Sequence, residues 1–159
     1  MKKGFTLLVF IFICSFSVSA QVVRVGILGI GLGGGDNSGR LALHLVEASF
    51  APKPNFDFGA YFGAQLAGND TGASAGIRYG IQGKYYFLTD KFKPFVGVQA
   101  GLNNGVSIDI DTEAIGEAGT KFQITPQAGF RFGPLNIWAS YQSGFMFNGG
   151  FVFGFGKFK

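Results

Sequence analysis

His44 is the only histidine in the 159-residue chain, and so the one side chain whose ordinary titration range suits general-base work at neutral pH. A base needs a nucleophile within hydrogen-bond reach. The neighbour two positions on, sharing its face in an extended segment, is Val46 rather than a serine. Gly29-Ile30-Gly31-Leu32-Gly33-Gly34 spells a Gly-x-Gly-x-x-Gly dinucleotide pattern. That chemistry requires a helix immediately after the glycines and an acidic residue about 20 positions on. Gly35-Asp36-Asn37-Ser38-Gly39 follows instead, and no acid stands near position 54. Asp109, Asp111 and Glu113 alternate and would share one face of an extended segment, as candidate ligands for a hard cation. A calcium loop would want glycine where Ala114 stands, which favours a solvated acidic loop over a metal site. The remaining polar set comprises Asp57, Gln65, Arg78, Gln82, Lys84, Gln99, Gln123, Gln127, Arg131 and Gln142. Its members are spaced at alternate positions within apolar stretches, so they would meet on one side of a sheet and hydrogen-bond there.

The elements that must position these groups are strands. From Asn55 to Leu66 the even positions read Phe, Phe, Ala, Phe, Ala, Leu, and the odd positions Asn, Asp, Gly, Tyr, Gly, Gln. Successive side chains in a strand point to opposite faces, so one face is apolar and the other small and polar. The same alternation runs through 73–87, 121–132, 137–147 and 151–155, and in weaker form through 41–46 and 95–102. Residues 22–33 are apolar on both faces. Eight strands are expected, over about 22–33, 39–50, 55–66, 73–88, 92–103, 120–132, 136–147 and 150–158, most of them long enough for a tilted membrane strand. Pro126 within one of them predicts a bulge or a locally unpaired position. No stretch after residue 20 repeats at the helical period, and 27 glycines are too many for helix interiors.

The connections alternate in length. Those at 51–54, 89–91 and 133–135 are short, whereas 104–119 is long; Asn148-Gly149 reads as a two-residue hairpin turn. Outer-membrane barrels have short periplasmic turns and longer outer loops. The long-loop end carries Asp36, Asp70, Asp109, Asp111, Glu113 and Glu117, and the opposite end Lys53, Lys91, Lys93, Lys157 and Lys159.

Residues 1–20 have the layout of a cleaved signal peptide: Lys2 and Lys3, an apolar run from Phe5 to Cys14, and small residues up to Ala20. Phe12 and Ile13 are too bulky for a lipoprotein signal at Cys14, the only cysteine. The exported chain, 21–159, then has no thiol for disulfides or thiolate metal sites. With Lys2 and Lys3 set aside, 11 basic residues face 9 acidic ones, and no basic run points to nucleic acid.

The composition is 47% hydrophobic and 14% charged, with 20 Phe. A soluble domain carries about 25% charged residues. Because the polar face is the small one, it suits the crowded interior of a narrow barrel, and the large apolar face suits lipid. Aromatic girdles are expected from Phe56, Tyr85, Phe87, Phe92, Phe132 and Phe155 at one end and Phe62, Phe122, Phe147 and Phe151 at the other. The fold class is therefore all-β: an eight-stranded antiparallel up-and-down transmembrane β-barrel.

The residues before Gln21, the Gly/aromatic alternation and the aromatic-rich strand Phe151 to Phe158 resemble the small Gram-negative outer-membrane β-barrel domain family, of OmpA- and OmpX-like architecture. That resemblance implies an outer-membrane location, insertion by the barrel-assembly machinery, and lipid and lipopolysaccharide as surroundings. Lys159 follows Phe158, whereas family members commonly end on the aromatic residue. The expected role is structural or surface-interacting, without catalysis or cofactor, in a monomer. A narrow pore for small solutes and a lipid-A-modifying enzyme are the alternatives.

Overall fold

A computed structural model describes residues 22–35, 38–69, 72–109, 116, 119–142 and 144–156. The expected signal peptide, Asp111, Glu113 and most of the long connection lie outside them. Eight strands form one closed antiparallel barrel: β1 (Val22–Gly35), β2 (Ser38–Lys53), β3 (Phe56–Asn69), β4 (Gly72–Tyr86), β5 (Phe92–Asp109), β6 (Gly119–Phe132), β7 (Leu135–Tyr141) and β8 (Phe145–Gly156). Each strand pairs with its neighbours in sequence, and β8 closes on β1 from Val22↔Gly156 to Gly34↔Phe145. Closure leaves no unpaired sheet edge. One end of the barrel holds the tight connections 54–55, 87–91 and 133–134; we name it the turn end. The other is the loop end. Gly133 takes a φ of 58° in its two-residue turn, a conformation that glycine adopts without a Cβ penalty.

The strands differ from expectation in three places. β5 continues to Asp109, which narrows the connection to 110–118. The Asn148-Gly149 hairpin is not formed: both residues lie within β8, and the connection falls between Tyr141 and Phe145. Phe151 consequently pairs with Leu135, next to the 133–134 turn, and belongs to the turn-end girdle rather than the opposite one. The third difference is parity. In β2 Leu45 and Val46 both face outward, because the register with β3 shifts between His44 and Val46. Ile27 and Leu28 do the same in β1, with Leu28 at a φ of 51° and a register shift between Ile27 and Ile30. These are bulges, each of which inserts one residue and reverses the alternation beyond it.

Pro126 marks the end of a ladder. Phe87 N donates to Pro94 O at 2.9 Å, so even-numbered residues of β5 direct their backbone groups to β4. Val98 is one of these and stands opposite Pro126, whose backbone therefore faces β7. The β6–β7 ladder runs from Phe132↔Leu135 to Gln127↔Ser140 and stops where Pro126 would have to donate. Pro126→Val supplies the missing N–H and should add about 1 kcal/mol. Hydrogen exchange checks this: the new amide should be protected like its strand neighbours, and loop-like exchange would remove the explanation.

Candidate functional site

The barrel interior holds the chemically capable side chains, and two buried ion pairs organise its turn-end half. Arg24 on β1 donates to Asp57 on β3, and Tyr86 on β4 donates its hydroxyl to the other Asp57 oxygen at 3.0 Å. The Arg24 guanidinium also lies 5.3 Å from the centre of the Tyr86 ring. Further up the lumen, Lys84 donates to Glu47 at 2.9 Å. Gln82 donates to the same Glu47 oxygen at 3.1 Å and accepts from Gln99 at 3.2 Å. A buried charge without a partner is expensive, and here each charge has an opposite charge plus a hydrogen bond or a ring face. The Lys84 ammonium sits 5.6 Å from both the Phe95 and Trp138 rings, which with Tyr86 form the apolar floor of the lumen.

Of the ten expected lumen residues, the structure brings Asp57, Gln82, Lys84 and Gln99 into these networks. Gln123 and Gln142 bond each other, and Arg40 donates to the Gln142 carbonyl. Arg78 lies over the Tyr61 ring at 6.0 Å. Gln65 and Gln127 are buried, and the side-chain oxygen of each has no hydrogen-bond partner. Arg131 stays at the rim, donating to the carbonyls of Gly133 and Val152 at 2.9 and 3.0 Å. Arg24 and Glu47 escaped the sequence reading because the two bulges reverse parity beside them. A carboxylate that alternation assigns to the lipid face is itself the signal that such a reversal occurs.

His44 points inward, as its alternation with Leu43 and Leu45 implies. Its Nε2 lies 3.0 Å from Asn148 Oδ1, and its ring meets Trp138 edge-on at 5.0 Å. Asn148 in turn donates to Ser140 Oγ at 3.0 Å and to the Trp138 carbonyl at 3.3 Å. The amide of Asn148 thus stands between His44 and the nearby hydroxyl. The glycines of 29–34 all lie in β1, with no helix behind them. A Cβ at Gly31 would collide with the Asn148 amide, and one at Gly33 with the Phe145 carbonyl and Met146, so the glycines admit a lumen side chain and the close approach of β8. Asp109 ends β5, and its side chain, like Asp111 and Glu113 of the candidate metal set, lies outside the described residues.

Between them the networks fill the middle of the lumen and leave a recess at each mouth. The turn-end recess, about 290 Å³, is bordered by Arg24, Asp90, Lys91, Lys93 and Arg131. The loop-end recess, about 190 Å³, is bordered by Gln65, Asn103 and Lys121. Trp138 is the only tryptophan and is 3% exposed inside the barrel. Its emission should be almost unquenched by brominated acyl chains in vesicles, and strong quenching would place it on the outer wall.

The sequence matches no known protein family and no curated protein. Solved structures do match in shape. The N-terminal β-barrel domain of Pseudomonas aeruginosa OprF superposes with a TM-score of 0.56 at 13% identity, covering 86% of this chain and 98% of that domain. Ail, the attachment invasion locus protein of Yersinia pestis, gives a TM-score of 0.45 at 14% identity, covering 83% and 97%. At these identities the likeness is one of fold: the chain is a closed eight-stranded antiparallel barrel of the architecture found in the OprF N-terminal domain.

Proposed function

We propose that this chain is an integral outer-membrane barrel with a filled lumen, exported by residues 1–20, inserted by the barrel-assembly machinery, and monomeric. Its role is to hold the loop end at the cell surface as a structural or interaction platform, without catalysis. The observation that carries this reading is the outer wall. Outward-facing strand positions with described side chains hold no Asp, Glu, Lys or Arg apart from Lys53 beside a turn. They hold instead a continuous belt of residues such as Leu32, Ile81, Ile124, Phe147 and Phe153. Monomeric soluble proteins rarely expose contiguous apolar patches beyond a few hundred Å². Lipid is the solvent such a wall suits. The matching interior, with its paired charges, supports a plug rather than a pore.

The orientation is tested by single cysteines at Glu113 on the loop end and Asp90 on the turn end, labelled in intact cells with a membrane-impermeant maleimide. Glu113→Cys should react directly and Asp90→Cys only after permeabilisation. The reverse pattern, or no reaction at either site before permeabilisation, would overturn the reading. In planar bilayers the protein should show no sustained conductance steps, and stable unitary currents would favour the narrow-pore alternative.

A further inference from the structure

The loop-end recess is made by an absence of side chains at one level of the wall. Gly76 on β4 pairs with Gly105 on β5, and Gly105 pairs with Gly119 on β6. Three neighbouring strands therefore lack a side chain in one row, and all three glycines line the recess. One step toward the turn end, Arg78 pairs with Asn103 and Asn103 with Lys121, which forms a row of two cations flanking an amide. One step toward the loop end stand Ser74 and Ser107, themselves register partners. Gln65, beside Gly76 on β3, completes the border.

Two features of this hollow call for a ligand. The first is charge. The described ion pairs of the lumen, Arg24–Asp57 and Lys84–Glu47, both lie closer to the turn end. Among the described residues neither Arg78 nor Lys121 has a carboxylate partner. The second is unfilled hydrogen-bonding capacity. Gln65 is 8% exposed, and its Oε1 has no partner; Asn103 Oδ1 has none either. A buried acceptor left unpaired costs about 1–3 kcal/mol, so a ligand with donors recovers that cost on binding. An anion alone would satisfy the cations and leave those oxygens unfilled. A ligand bearing both an oxyanion and hydroxyls satisfies both.

We propose that this glycine-floored hollow binds a phosphorylated sugar. Its phosphate would take the Lys121 ammonium, with the buried charge of Arg78, held against Tyr61 in the same row, adding attraction from below, and its hydroxyls would donate to Gln65 and Asn103 and exchange hydrogen bonds with Ser74 and Ser107. At about 190 Å³ the hollow is smaller than the roughly 300–1,000 Å³ of pockets for drug-sized ligands, which limits the occupant to about one sugar unit. The sugar phosphate is either free in solution or carried on a surface lipid; the chemistry recognised is the same. The hollow and a soluble ligand are independent of which way the loop end faces; the lipid source rests on the proposed outward orientation of that end.

The test uses the full barrel in nonionic micelles, following the backbone amides of Gly76, Gly105 and Gly119 by NMR. Glucose 1-phosphate should shift these three saturably. Glucose, inorganic phosphate and sodium chloride at matched ionic strength should each bind at least about tenfold more weakly. Lys121→Gln should weaken the ester by about tenfold, in line with one charge-assisted hydrogen bond. A Cβ at Gly119 meets nothing within 4 Å, so Gly119→Leu fills the hollow without a backbone clash and should abolish the shifts. Unchanged heat-dependent gel migration of both variants separates a lost site from a lost barrel. Repeating the titration in bilayers containing monophosphoryl lipid A identifies the source. Shifts already present and not displaced by the free ester indicate the lipid, and an unchanged response to the ester indicates the soluble sugar. No saturable shift by the ester with or without lipid A, equal shifts by glucose or inorganic phosphate, or wild-type affinity in Lys121→Gln would overturn the assignment.

Discussion

Glu47→Leu should destabilise the barrel by about 3–5 kcal/mol, the range for breaking a buried ion pair by removing one partner. Glu47 accepts from Lys84 at 2.9 Å and from Gln82 at 3.1 Å, both inside the lumen. Without the carboxylate, the Lys84 ammonium retains only the Phe95 and Trp138 faces, each 5.6 Å away. A ring face at that range contributes roughly 0.5–2 kcal/mol, less than the lost charge pair. The loss is readable as a lower urea midpoint for the fast-migrating gel form. Glu47→Leu combined with Lys84→Met should recover most of it, since removing both charges leaves no buried ion. A double variant as unstable as the single one would show that the carboxylate acts by packing rather than by pairing.

Ile81→Arg should cost about 2–4 kcal/mol in a bilayer, the penalty for a basic side chain on the lipid face near mid-depth. Ile81 faces outward on β4, between the turn-end aromatic Tyr85 and the loop-end residue Ile77. In water-accessible surroundings the same change would cost well under 1 kcal/mol. The magnitude therefore reports the solvent of the outer wall. Thr120→Arg, above the belt on β6, is the control and should be nearly neutral. Equal, small effects at both positions would argue that the wall faces water.

The alternation of large apolar and small polar residues made the strand count and the two faces legible. Phe56, Phe58, Phe62 and Leu66 are exposed on one side of β3, and Asp57, Tyr61 and Gln65 are buried on the other, as that pattern requires. The interior was harder to read, for a physical reason: parity is a local rule, and a single inserted residue reverses it. The bulges at Leu28 and Leu45 each do so, and Arg24 and Glu47, half of the two ion pairs, went unassigned. The last hairpin shows local preference yielding to closure. Asn148-Gly149 favours a tight turn, but β1 is paired with β8 as far as Gly34↔Phe145. A turn at 148–149 would leave the upper backbone of β1 without strand partners, a cost of several kcal/mol per group in the lipid surroundings proposed above. Asn148 instead serves the lumen, bound to His44 and Ser140. The loop-end hollow was invisible in sequence because Gly76, Gly105 and Gly119 are adjacent only through the register of β4, β5 and β6.

Heat-dependent migration of the membrane-extracted protein on a detergent gel tests the membrane barrel most directly. A closed barrel of eight strands with a hydrogen-bonded interior should stay folded in cold dodecyl sulfate and run as a compact, faster band. Boiling should convert it to a slower band near the mass of the chain. A single band at the unfolded position with or without heating, from membrane fractions that contain the protein, would contradict a membrane-spanning barrel.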